Sequence, residues 1–237
     1  AMIAEPIQGA GWVIIPPKQY FRAIQPILRK YQILLIADEV ICGFGRTGEM
    51  FGSMHFGIEP DMMVVAKQLS SGYQPISALL ISDAVYQVIR EQSAGFGMFG
   101  HGYTYSGHPV PAAVALETLK IYEERNLVER VRELAPRFAK ALQSVSSHPL
   151  IGTSRSLGLI GAVELVRNKT QKEFFDPSLK AGAHLVARAQ EHGLILRVLP
   201  GDIIAFCPPL IIGESEMDEM FLRFEKALED TTNHFSS

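Results

Sequence analysis

Cysteine and tryptophan are scarce in this chain, with two cysteines and one tryptophan in 237 residues. Cys42 and Cys207 are far apart and neither belongs to a Cys-x-x-Cys pair, so a disulfide framework and a cysteine zinc site are excluded. Each flanks an apolar run and reads as a small core residue. His101 and His108 stand seven apart, which fits no usual zinc spacing. They read as structural hydrogen-bonding groups, and no metal site is expected. No apolar run approaches the roughly 18–20 residues of a membrane span. Neither sign of charge dominates: 22 Lys and Arg face 25 Asp and Glu, a net charge of −3 without a basic block. That excludes the electrostatic footprint of a nucleic-acid binder. A charged-then-apolar leader of the secretory type is absent from the first residues, so a cytoplasmic location is expected.

What is present describes a globular protein, with 47% hydrophobic and 20% charged residues. Its length suits one large or two modest domains. One stretch organises the rest: Met62-Met63-Val64-Val65-Ala66-Lys67, followed by Gln68-Leu69-Ser70-Ser71-Gly72. The apolar run is too short for a helix and reads as a strand buried on both faces. Lys67 then sits just past the carboxyl end of a strand, where α/β sheets place ligands. Burial there favours the neutral, nucleophilic amine, which can form an imine with a carbonyl carbon. A second run, Ile33-Leu34-Leu35-Ile36-Ala37-Asp38-Glu39-Val40, carries Asp38 among apolar residues, and buried carboxylates are rare unless paired. Asp38 precedes Lys67 by 29 residues, room for one loop and one further segment between two strands. A lysine for an aldehyde and an aspartate for a pyridinium nitrogen are the two groups that pyridoxal phosphate requires.

Three segments, LLIADEVICGFGRTGEMF, PDMMVVAKQLSSGYQPISALLIS and HGYTYSGHPVPAAVALETL, together resemble the class III pyridoxal phosphate-dependent aminotransferases. Within them the likeness is greatest to the ω-amino acid:pyruvate group. The resemblance implies an α/β protein of the fold type I transferases: a three-layer αβα large domain, partial here over residues 1–125, and a small C-terminal α/β domain over 126–237. It also implies that the chain corresponds to the C-terminal half of such an enzyme, since AMIAEPIQGAGWVIIPP reads as the middle of a protein. The activity implied is transfer of an amino group from an amine or ω-amino acid to a keto acid such as pyruvate. The implied assembly is a homodimer or larger homo-oligomer with active sites at the interface.

Residue by residue, the resemblance makes Lys67 the cofactor-bearing lysine and proton carrier, and Asp38 the partner of the ring nitrogen. Val40, two residues along and read as sharing a strand face with Asp38, is expected against the ring. Thr104 is implied as a phosphate ligand for the neighbouring subunit's cofactor, with Tyr103 lining the neighbour's pocket. Arg197 matches the family's carboxylate-binding arginine, whose planar fork pairs with both oxygens. Ornithine and γ-aminobutyrate relatives pair that arginine with a glutamate at the position of Ala10, and the alanine points to the ω-amino acid:pyruvate group. Trp12 replaces a commoner glycine and is expected to narrow the substrate pocket. The same lysine and aspartate serve decarboxylases and aminomutases of this fold, and a half-chain can also act as a non-catalytic interaction module.

Along the rest of the chain, periodicity predicts helices over 19–30, 83–92 with Asp83 as N-cap, 111–124, 126–146 and 180–192. It predicts strands over 77–82, 157–166, 195–199 and 203–207. A last helix is expected with Ser215 as N-cap, Asp218 three residues on, and Met217, Met220, Phe221, Phe224 and Leu228 on one face.

Overall fold

The structure is a computed structural model, described for residues 1–236. It divides into two compact units. The first comprises Ala1–Pro6, Pro16–Gly45 and Glu49–Asn126; the second comprises Ile7–Ile15, Arg46–Gly48 and Leu127–Ser237.

The first unit is built on a four-stranded sheet, β1 (Met2–Ala4), β2 (Leu35–Asp38), β3 (Met62–Val65) and β4 (Ala78–Ile81), in that spatial order. β1, β2 and β3 run parallel and β4 is antiparallel to β3. Helix α1 (Tyr20–Lys30) makes the crossover between β1 and β2 and runs through Pro26 rather than stopping there. Its buried Phe21 and Leu28 join Leu35 and Ile58 in a cluster that Met2, Ala4, Ile24 and Phe56 pack against. Because side chains alternate across a strand, Met2, Ala4, Leu35 and Ala37 belong to this covered face. Ile3, Ile36 and Asp38 belong to the other, where Ile3 is 60% exposed. The 62–66 run is therefore not buried on both sides: β3 is mostly half-buried and β4 largely exposed. Short helix α2 (Gly52–Phe56) follows the glycine-rich loop. Helix α3 (Asp83–Phe96) starts after Ser82, so Asp83 lies in the first turn instead of capping it. Helix α4 (Pro109–Glu124) is capped by His108, whose Nδ1 accepts from Val110 N–H at 3.1 Å.

The second unit holds an antiparallel sheet in the order β5 (Ile151–Leu157), β6 (Ile160–Leu165), β8 (Ile203–Phe206), β7 (Arg197–Leu199). The single strand expected over 157–166 is thus a hairpin, turned at Gly158 with φ +58°. A Cβ at Gly158 would meet Arg46 O at 2.4 Å, so no larger residue fits. One sheet face, with Gly161, Val163, Ile204 and Phe206, packs on helices α5 (Leu127–Val145) and α7 (Glu214–Ser236). Phe206 stacks on Phe221 at 5.7 Å and meets Phe224 edge-on at 4.9 Å. Helix α6 (Ala181–Glu191) packs beside α7. Helix α7 begins one residue before the expected cap. Gly213 N–H donates to Glu216 Oε2 at 2.6 Å, and Asp218 instead accepts from Arg137 Nε at 3.0 Å. Cys42 is buried as expected, whereas Cys207, just past β8, is exposed.

Candidate active site

Strands β2 and β3 are neighbours with Asp38 in register with Val64. Asp38 is the last residue of β2, and Lys67 comes two residues after β3 ends. The two side chains therefore belong to one carboxyl edge of a parallel pair, the place where open α/β sheets bind ligands. Lys67 opens a 3₁₀ turn with φ +42°, in the left-handed region that a lysine rarely occupies. Such outliers concentrate at functional sites. Lys67 is exposed, so the burial inferred from its apolar run is not provided by the described residues. Asp38 is half-buried; its Oδ1 accepts from Val40 N–H at 3.1 Å, and its Oδ2 makes no hydrogen bond among the described residues. Val40 lies in the turn after β2, so it is held to Asp38 by that bond and not by strand alternation.

Glu39 carries a role that the sequence reading passed over. It is fully buried and accepts from Gly52 N–H at 2.9 Å, Ser53 N–H at 2.6 Å and Ser53 Oγ–H at 2.5 Å. Burial raises its pKa, the Ser53 and Gly52 donors pull it back, and the charge of Asp38 adds to the rise. This carboxyl fastens the glycine-rich loop to the end of β2, directly beside Asp38.

Thr104 and Tyr103 fall in an exposed turn of the first unit, Tyr103 being 77% exposed. Tyr103 N–H donates to Ser106 Oγ at 3.0 Å, and the His101 ring meets that of Tyr103 edge-on at 5.3 Å. Arg197 and Trp12 are in the second unit. Arg197 begins β7, is exposed and makes no hydrogen bond or ion pair among the described residues. Trp12 adopts φ +80°, a conformation that glycine takes freely, which accounts for the glycine expected there.

The donor set at the β2–β3 edge fits a pyridoxal group. An accessible amine suits its aldehyde, and a carboxylate with one uncommitted oxygen suits its ring N–H.

Comparison with known proteins agrees. The family described as Aminotransferase class-III matches residues 1–228. Gamma aminobutyrate transaminase 3, chloroplastic, of Solanum lycopersicum is 52% identical over 98% of this chain and 45% of its own length. Vanillin aminotransferase of Capsicum chinense is 46% identical over 98% of this chain and 50% of its own. The crystal structure of the omega transaminase from Pseudomonas jessenii in complex with PMP superposes with a TM-score of 0.95 at 53% identity, covering 99% of this chain and 51% of that one. The chain spans about half the length of the relatives it matches. Its fold is that of the pyridoxal phosphate-dependent transferases of type I, and the chain belongs to the class III aminotransferases.

Proposed function

We propose that this chain contributes the lysine and aspartate of a transaminase site that moves an amino group from an amine or ω-amino acid to a keto acid such as pyruvate. The observation supporting it is the placement of Lys67 and Asp38 at one carboxyl edge of adjacent parallel strands. Pyridoxal phosphate, when bound, supplies an aldehyde carbon for amines and an electron-withdrawing ring. Lys67 holds it through Nζ and, when released, carries a proton to and from the substrate's amine-bearing carbon. Asp38 keeps a proton on the ring nitrogen, and Val40 packs against the ring. Thr104 serves the phosphate, and Tyr103 the pocket, of a second copy in a homodimer. Arg197 takes a substrate carboxylate, and Trp12 lines the substrate space. Among the described residues, no helix is long and apolar enough to cross a membrane; a cytoplasmic location is part of the proposal.

The experiment is Lys67→Ala in the holoenzyme. The yellow absorbance of the lysine-bound cofactor and the formation of alanine from pyruvate both disappear, while Asp38→Asn keeps the cofactor and lowers turnover by about 10²-fold or more. Alanine formation by pure Lys67→Ala protein would refute the assignment.

A further inference from the structure

In the second unit, the loop 7–15 is closed by paired bonds between Gln8 and Ile14, each N–H donating to the other's carbonyl at 3.1 Å, and by Val13 N–H donating to Gly9 O at 3.2 Å. At its tip two consecutive non-glycine residues are left-handed, Trp12 at φ +80° and Val13 at φ +53°. A β-branched valine in that region is a genuine outlier, and a pair of outliers persists only where surrounding bonds over-determine it. The bonds come from one side chain. Arg155 on β5 donates from Nε to Trp12 O at 3.0 Å and to Val13 O at 2.9 Å, and one terminal nitrogen also donates to Trp12 O. Its other terminal nitrogen donates to Thr153 Oγ1 at 3.3 Å, and Thr153 in turn donates to Glu164 Oε2 at 3.2 Å.

The conformation buries Val13 and leaves the Trp12 indole 47% exposed. That indole is one wall of a cleft of about 570 Å³, whose other apolar walls are Phe174, Phe175, Pro177, Val198 and Leu199. Its size and lining suit a small organic ligand. The register relates it to Arg197. Glu164, Ile203 and Leu199, all lining the cleft, form one row across the sheet, and Arg155, Ala162, Ala205 and Arg197 form the adjacent row on the same face. A molecule with one end at Arg197 thus has the apolar cleft beside it.

We propose that this cleft is a subsite for an aromatic group of the amine or carbonyl substrate, with Trp12 as its specificity-determining wall and Arg155 as the positioning residue that holds the wall in place. Three aromatic side chains, Trp12, Phe174 and Phe175, offer ring faces and edges to such a group. The relevance to substrate choice rests on the transaminase reading and on Arg197 as a substrate-binding residue; the cleft itself does not.

The test compares two donors, 1-phenylethylamine and 2-aminobutane, with pyruvate as acceptor in the holoenzyme. Trp12→Ala lowers the ratio of their kcat/KM values, aryl over alkyl, by about tenfold. Arg155→Lys keeps the charge but loses the fork on the two carbonyls; it lowers the same ratio and shifts the indole emission, isolated by subtracting the Trp12→Phe spectrum. An unchanged ratio in Trp12→Ala overturns the subsite. A change of stability alone in Arg155→Lys, with ratio and emission unaltered, overturns the positioning role. A second readout needs no turnover: titration with unreactive 3-phenylpropanoate gives a saturable change in Trp12 emission that butanoate does not. If neither donor reacts, the transaminase reading fails while the titration still decides the cleft, and no saturable change overturns it.

Discussion

Glu39 follows Asp38 in the chain and faces a different environment, fully buried where Asp38 is half-open. Its three donors, from Gly52 and Ser53, hold the start of α2 against the end of β2. Glu39→Gln keeps the volume but turns an NH2 group toward donors, leaving at least one buried N–H or O–H without an acceptor. That costs about 1–3 kcal/mol. The check is urea unfolding of the two proteins; equal midpoints would mean that the loop is fastened by something else. At this scale the sequence was legible where a residue broke its surroundings. Asp38 interrupts an apolar run and Lys67 ends one, and both lie at the expected sheet edge. Glu39 gave no such signal because its partners are 13 and 14 residues away in a glycine-rich loop. The strain at Lys67 and Trp12 was equally hidden, since a backbone angle is set by the contacts around it.

Helices α6 and α7 meet through a stacked histidine pair, His184 and His234, with ring centroids 4.2 Å apart and planes 17° from parallel. His184 Nε2 is buried without a hydrogen-bond partner among the described residues. Burial lowers the pKa of His184 below 6.5, and His234 and Arg188 lower it further, against opposing attraction from Asp230 and Glu191. His148 is lowered as well, by burial first and then by Lys169, with Glu229 opposing. A base with a depressed folded-state pKa binds fewer protons than its unfolded form, so stability rises with pH across that interval. The contribution is complete above 6.5, falls as pH drops below it, and levels off once the folded protein also takes up the proton. His184→Phe keeps a ring against His234 and removes the titration. Its melting temperature declines less steeply than that of the parent between pH 6.5 and lower values; parallel curves would assign the acid sensitivity elsewhere. The elements themselves were read from periodicity where a face is apolar, as in α1, α5 and α7. Strand β5 escaped because Ile-Gly-Thr-Ser-Arg-Ser-Leu has no apolar alternation, and it is a strand through its pairing with β6. The α7 cap was misplaced by one residue because Glu216, not Asp218, reaches back to close the first turn.

A parallel sheet is stable when both faces are covered, and in the first unit α1 covers one. The other carries Ile3, Ile36, Met62 and Ile81 in a single row across four strands, with Leu79 two positions along β4 and 58% exposed. Downstream, Phe96, Met98, Phe99 and Tyr105 are also exposed large side chains. Apolar surface on this scale marks an interface, and each fully covered side chain of this kind gains about 1.5–3 kcal/mol. The 237-residue polypeptide produced alone is therefore expected to self-associate and to bind a hydrophobic dye. Replacing Ile3 and Leu79 together by lysine places two charges on the open face and lowers both signals. Sedimentation velocity over a hundredfold concentration range, with dye fluorescence alongside, makes the measurement. A monodisperse monomer without dye binding would show that this face is content in water, and the reading of the sheet as one that needs a second covering layer would fail with it.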